Sequence, residues 1–175
     1  MAPLTRAEKV AVLERCSLRY IVGSLLDAPR THYIAHQCNC VTTRAAGLAA
    51  LIFKAYPEAN VYTRRKSPST PGTASLHGGI VNLYAQYEPG EAPVGDSDGV
   101  GETYGQRLAW LAASLDDAVE KILAPSNSPG VRIARLALPA GLGCELAGGS
   151  WPRYADALRA WADAHPTAEL LFYVN

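Results

Sequence analysis

The chain has 175 residues, with 16 Lys plus Arg against 16 Asp plus Glu and a formal net charge of zero. With 49% apolar and 18% charged residues, it can bury a core within one domain over residues 1–175, which excludes a disordered chain. The balanced charge excludes broad nucleic-acid binding, which depends on many cationic contacts to phosphate, and no run approaches the ~18 apolar residues that span a bilayer.

Taken in chain order, residues 1–17 read as an N-terminal extension, in which Arg6, Glu8 and Lys9 interrupt any leader-like apolar run. A strand is expected over 18–22, ended by Gly23-Ser24, and a second over 33–40. Leu48, Leu51, Ile52 and Ala55 then fall at helical spacing, and Pro57 closes that element. Residues 63–72 form a polar loop. Residues 73–76 and Ile80–Gln86 read as paired strands about a His77-Gly78-Gly79 turn. The stretch 87–102 is rich in Gly, Pro, Asp and Glu and reads as an exposed loop. Leu108, Leu111, Ala112, Leu115, Val119 and Ile122 make the apolar stripe of a long helix. Residues 131–138 become continuously apolar, as a strand entering a core does. Ser150 is placed to cap a helix with Pro152 in its first turn, with Tyr154, Leu158 and Trp161 on one face. Residues 169–174 close the chain as a strand. The expected fold class is α/β: a mixed, mostly parallel sheet with helices on both faces, in three layers. Four cysteines (Cys16, Cys38, Cys40, Cys144) are too few for a disulfide framework, and a cytoplasmic monomer without a membrane partner is expected, with nuclear entry left open.

Two loops rich in Gly and Ala follow strands and precede helices. The first runs Cys40-Val41-Thr42-Thr43-Arg44-Ala45-Ala46-Gly47, the second from Ala140 through Leu142-Gly143-Cys144-Glu145-Leu146 to Gly149. Small residues let the backbone approach an anionic ligand, and a helix N-terminus offers it unpaired N–H groups; the same residues also serve for tight turns alone. Neither loop has the Gly-Lys-Ser/Thr of a P-loop or the G-x-G-x-x-G of a dinucleotide fold. On a strand, His36, Cys38 and Cys40 share one face. Zinc binding there, with Cys144 as a fourth ligand, lacks the usual ligand spacing, and nothing marks a depressed thiol pKa for a Cys nucleophile. Buried apolar cysteines are the preferred reading, so neither metal nor cofactor is expected.

The run Ala35-His36-Gln37-Cys38-Asn39-Cys40, its loop and the helix into Tyr56-Pro57-Glu58-Ala59 together resemble the macrodomain family, in particular its ADP-ribose 1″-phosphate phosphatase branch. Val81-Asn82-Leu83-Tyr84-Ala85-Gln86 is similar to the family's middle strand, Leu146-Ala147-Gly148-Gly149-Ser150-Trp151 to its second ligand loop, and Gly23-Ser24-Leu25-Leu26 to its opening Gly-Asp-Leu. The resemblance implies a cleft for ADP-ribose or ADP-ribose 1″-phosphate, free or as part of ADP-ribosylated protein. By position, Ser24 and Leu25 would flank the adenine and Asn39 would meet the distal ribose. Ala45, Ala46, Gly47, Leu48 and residues 142–146 would surround the diphosphate, with Arg44 beside them. His36 would be the catalytic acid or base, Asn39 would orient the distal ribose, and Glu145 would be the carboxylate partner; a salt-bridging surface Glu145 is the alternative. Ser24 stands where the family has an adenine-reading Asp, a role that Asp27 could take instead. Gln86 and Ala147 stand where the glutamyl-ADP-ribose hydrolase branch has its Lys and Asp, which argues against that branch's mechanism. Pure binding of ADP-ribose and removal of ADP-ribose from protein or nucleic acid remain alternatives to the phosphatase reading.

Overall fold

The computed structural model describes residues 3–93 and 101–175. Within the stretch expected as an extension lies a helix, α1 (Arg6–Arg15). Thr5 caps it: its hydroxyl accepts from Glu8 N at 3.2 Å, and the Glu8 carboxylate accepts from Thr5 N at 2.7 Å. A reciprocal box of this kind stabilises a helix end by ~1 kcal/mol. Only Lys9 and Leu13 of α1 are buried, too few for a visible apolar stripe.

The chain continues through β1 (Tyr20–Val22), β2 (Tyr33–Asn39), α2 (Gly47–Ala55), β3 (Ala74–His77), β4 (Ile80–Gln86), α3 (Tyr104–Leu123), β5 (Ala134–Pro139), α4 (Trp151–Ala164) and β6 (Ala168–Val174), with short 3-10 turns at Leu25–Asp27 and Pro57–Ala59. The strands form one sheet in the order β1-β6-β5-β2-β4-β3. All neighbours are parallel except the β3–β4 hairpin. β5 begins three residues later than expected, because Val131 and Arg132 are exposed.

Leu13, Leu115, Trp151, Leu158 and Phe172 pack one face of the sheet under α1, α3 and α4. Ile34, Cys38, Ile52, Phe53 and Tyr84 pack the other under α2. Helices on both faces explain why every residue of β4 is buried. The three-layer α/β/α arrangement expected from the sequence is the one found.

Two details depart from the expected pattern. Ser150 occupies the N-cap of α4 but makes no side-chain hydrogen bond there. On α3 the buried face includes Arg107, Ser114 and Ala118, while Leu108 and Ala112 are half-buried. Arg107 is fully buried and pairs with Glu102 at 2.7 Å. Its guanidinium also donates to the carbonyls of Glu88, Gly90 and Ala147, and the Glu102 carboxylate accepts from Tyr87 N and Glu88 N. The flanks of the expected exposed loop at 87–102 are therefore tied to the core; residues 94–100 of it lie outside the described residues.

Leaving β2, the chain turns to α2 on one face; leaving β5, the strand beside it, it turns to α4 on the other. Such a reversal between adjacent parallel strands opens a crevice at their carboxyl ends, where ligands of α/β sheets bind.

Candidate functional site

A cleft of about 770 Å³ occupies that crevice, bounded by Ser24 after β1, Asn39 at the end of β2, Gln86 at the end of β4 and Pro139 at the end of β5. His36 and every expected ligand-binding residue line it except Ala45, which packs instead against the core beneath α2.

The first loop is fixed at its base. Asn39 Oδ1 accepts from Val41 N at 3.1 Å, Thr42 N at 2.8 Å and the Thr42 hydroxyl at 3.0 Å. Arg65 donates to the carbonyls of Asn39 and Thr42 and lies 4.8 Å from the centre of the Tyr62 ring. Asn39 Nδ2 donates to the Tyr62 hydroxyl at 3.2 Å, so one amide hydrogen is what this side chain has left for a ligand. Beyond, Ala46 is the N-cap of α2 and has no capping side chain. The N–H groups of Gly47, Leu48 and Ala49 find no acceptor among the described residues, leaving the positive end of the helix open to an anion.

The second loop is a run of tight turns. Gly141 (φ +83°) and Gly143 (φ +73°) alternate with Leu142, a conformation that makes backbone N–H groups converge on an anion. The N–H groups of Leu142, Cys144 and Gly149 close the turns. Those of Gly143, Glu145 and Leu146 have no acceptor among the described residues. Gly143 lies flat on the Tyr154 ring: a Cβ there would stand 2.4 Å from Tyr154 Cε1 and 2.8 Å from Gln37 Oε1. The two loops meet where Leu146, 63% exposed, covers Gly47; a Cβ on Gly47 would be 2.8 Å from Leu146 Cδ1.

Ser24 caps the 3-10 turn after β1, its hydroxyl accepting from Leu26 N at 3.2 Å. Its own hydrogen stays free to donate, the reverse of the hydrogen-bonding sense of an Asp carboxylate. Asp27, the other candidate for reading adenine, is exposed and is not among the residues lining the cleft.

His36 forms part of the cleft floor and is only 1% exposed. Its Nε2 lies 2.7 Å from Asn82 Oδ1. Asn82 Nδ2 is committed to Ala59 O and the Ser75 hydroxyl, so Oδ1 is the acceptor and the imidazole proton sits on Nε2. The ring packs edge-on against Phe53, 5.3 Å between centroids. Burial pushes its pKa down to about 4, and the bond to Asn82 offsets this only in part. The expected pairing with Glu145 does not form. Glu145 is bound to Lys9 Nζ at 2.8 Å, the salt-bridging alternative raised from the sequence.

Burial pushes the thiols of Cys38 and Cys144 up to about 12 and that of Cys40 to about 11, so all three are protonated at neutral pH and poor as nucleophiles. Among the described residues no group of three or more His, Cys, Asp or Glu side chains is placed to hold a metal ion.

Four residues of the site region lack a role in the sequence reading. Gln37, on the face of β2 opposite His36, donates to Gln86 Oε1 at 2.6 Å, and its own Oε1 is buried without a partner. Arg65, in the segment read only as polar, and Tyr62 just before it brace the first loop. Lys9 reaches the second loop from α1, and the Thr5-x-x-Glu8 capping pattern is the one sequence signal that could have placed a helix there.

No protein-family model matches the sequence, and no curated protein matches it. In three dimensions the chain is similar to the macrodomain of Mycobacterium tuberculosis DarG, with a TM-score of 0.62 and 22% identity over 90% of this chain and 97% of that one. A protein of unknown function from Bacteroides thetaiotaomicron gives 0.62 and 18%, over 90% and 98%. A macrodomain protein from Streptomyces coelicolor gives 0.58 and 15%, over 90% and 99%. The fold these structures share with this chain is the macrodomain fold.

Proposed function

We propose that this chain binds ADP-ribose, free or attached to protein, in the cleft between its two loops. The observation that carries the reading is the pair of unengaged backbone N–H sets, one at the start of α2 and one in the second loop, both in loops that line one cleft of about 770 Å³. Such an arrangement suits a diphosphate, which needs donors from two sides and no cation of its own. Asn39, with one amide hydrogen unengaged, supplies a donor for distal-ribose hydroxyls. Ser24 and Leu25 supply a polar edge and an apolar face for the adenine.

Hydrolysis of ADP-ribose 1″-phosphate is the second reading, favoured by the position of His36 in the cleft floor with Nδ1 free of a strong partner. Binding without turnover is preferred, because an imidazole whose conjugate acid has a pKa of about 4 is a weak general base near neutral pH. Two assays separate them: thermal shift with ADP-ribose, ADP and adenosine, and phosphate release from ADP-ribose 1″-phosphate beside ADP-ribose release from modified protein. A shift with ADP-ribose and no turnover supports binding. Phosphate release that His36→Gln abolishes would establish the phosphatase.

A further inference from the structure

Among the described residues, the cleft is lined by three charged side chains besides the neutral His36: Lys9, Arg44 and Glu145. Lys9 and Glu145 form an ion pair of 2.8 Å whose members differ in freedom, the lysine side chain being 10% exposed and the glutamate 55%. The lysine is held. Its backbone carbonyl accepts from Trp151 Nε1 at 3.3 Å, α1 is locked by its capping box, and Leu13, one turn on, is fully buried. Its stem runs along Gly141, where a Cβ would stand 3.1 Å from Lys9 Cε and 3.7 Å from Nζ. The absence of that Cβ lets the ammonium reach the cleft wall beside the second loop.

An ammonium has three hydrogens to donate. Glu145 takes one, and no other acceptor for Nζ occurs among the described residues. A buried cation with one partner is incompletely compensated for its lost hydration. Glu145 has the opposite situation: a half-exposed carboxylate on the lip of a site built for an anion, which it repels and from which it can rotate into water at small cost.

We propose that Lys9 is a phosphate-recognising residue of the cleft and that Glu145 is its exchangeable counter-ion. On entry of a ligand carrying a diphosphate, a phosphate oxygen replaces the Glu145 carboxylate on Lys9 Nζ, and Glu145 turns to solvent. The identity of that ligand as ADP-ribose rests on the function proposed above; the phosphate preference rests on the pair itself. Glu145 thus lowers affinity for every phosphate ligand while keeping Lys9 compensated in the empty cleft.

Calorimetric titration of the full chain with ADP-ribose and, separately, inorganic pyrophosphate tests this on the parent, Lys9→Met, Glu145→Gln and the double variant. Lys9→Met keeps the apolar stem and should weaken both ligands by ~10- to 100-fold, the usual effect of losing a charge-assisted hydrogen bond. Glu145→Gln should tighten both by ~2- to 5-fold, and that gain should shrink in the Lys9→Met background. Glu145 is too exposed for its replacement to threaten folding, so Glu145→Gln decides the matter even if Lys9→Met folds poorly. Unchanged or weakened binding of both ligands in Glu145→Gln would overturn the exchange. Pyrophosphate binding with these effects, without ADP-ribose binding, would keep the Lys9 assignment and remove the ADP-ribose reading. ADP-ribose binding insensitive to both variants would do the reverse, and a parent that binds neither ligand overturns both.

Discussion

Acid should destabilise this protein through His36 in a way that one substitution removes. The folded ring resists protonation down to about pH 4, whereas in the unfolded chain it accepts a proton near the ordinary imidazole value of about 6.5. Below 6.5 the unfolded state therefore binds a proton that the folded state refuses, and stability falls with pH until about 4, where the folded ring titrates too. Above 6.5 neither state is protonated and the contribution is constant. The full gap corresponds to about 3 kcal/mol, and about 2 kcal/mol of it is lost by pH 5. His36→Gln keeps a donor for Asn82 Oδ1 but cannot take up a proton, so its urea-unfolding free energy should lack this component. At pH 8 the variant should be less stable than the parent by ~1–2 kcal/mol, from lost packing against Phe53. By pH 5 the difference should have closed or reversed. Comparing the two proteins cancels the titration of the carboxylates they share. Parallel stability curves would refute the reasoning: the folded ring would then take up its proton at an ordinary pH, and its candidacy as an acid–base catalyst would recover.

Arg107→Met should cost ~3–5 kcal/mol in urea unfolding, because it leaves Glu102 buried without its partner and strands the carbonyls of Glu88, Gly90 and Ala147. Gly47→Val places a branched side chain at φ +54°, a conformation costing L-residues ~1–2 kcal/mol. It also drives into Leu146, so ADP-ribose affinity should fall about tenfold, while the strain lowers the melting temperature by only ~2–8 °C and leaves the protein folded. A chelator should leave the melting temperature unchanged, since metal ligation by Cys38 and Cys40 requires thiolates that their burial opposes; unfolding on chelation would contradict this.

The sheet and its helices were legible because they carry strong signals: two β-rich runs about a Gly-Gly turn in the β3–β4 hairpin, the i, i+3, i+4 stripe of α3, and apolar runs in β5 and β6. The cleft was legible because two small-residue loops, each between a strand and a helix, stand in an order of motifs that resembles the macrodomain family; either loop alone would also suit a tight turn. What escaped depends on contacts between distant residues. α1 buries only two side chains, one of them a lysine, so its pattern resembles a solvated segment. Arg107 interrupts an apolar face and pairs with Glu102 in a stretch whose composition reads as exposed. The roles of His36 and Glu145 could not be separated by sequence, because a catalytic pair and two unrelated residues have the same spelling. What the structure adds is contacts: His36 is buried against Phe53 and Asn82, and Glu145 pairs with Lys9 across 136 positions.

Titration of the parent protein with ADP-ribose by isothermal calorimetry tests the central claim most directly. Saturable one-to-one binding is expected, with adenosine, which lacks the diphosphate, binding far more weakly. No heat of binding at millimolar ADP-ribose, with a folded protein in the cell, would contradict the account.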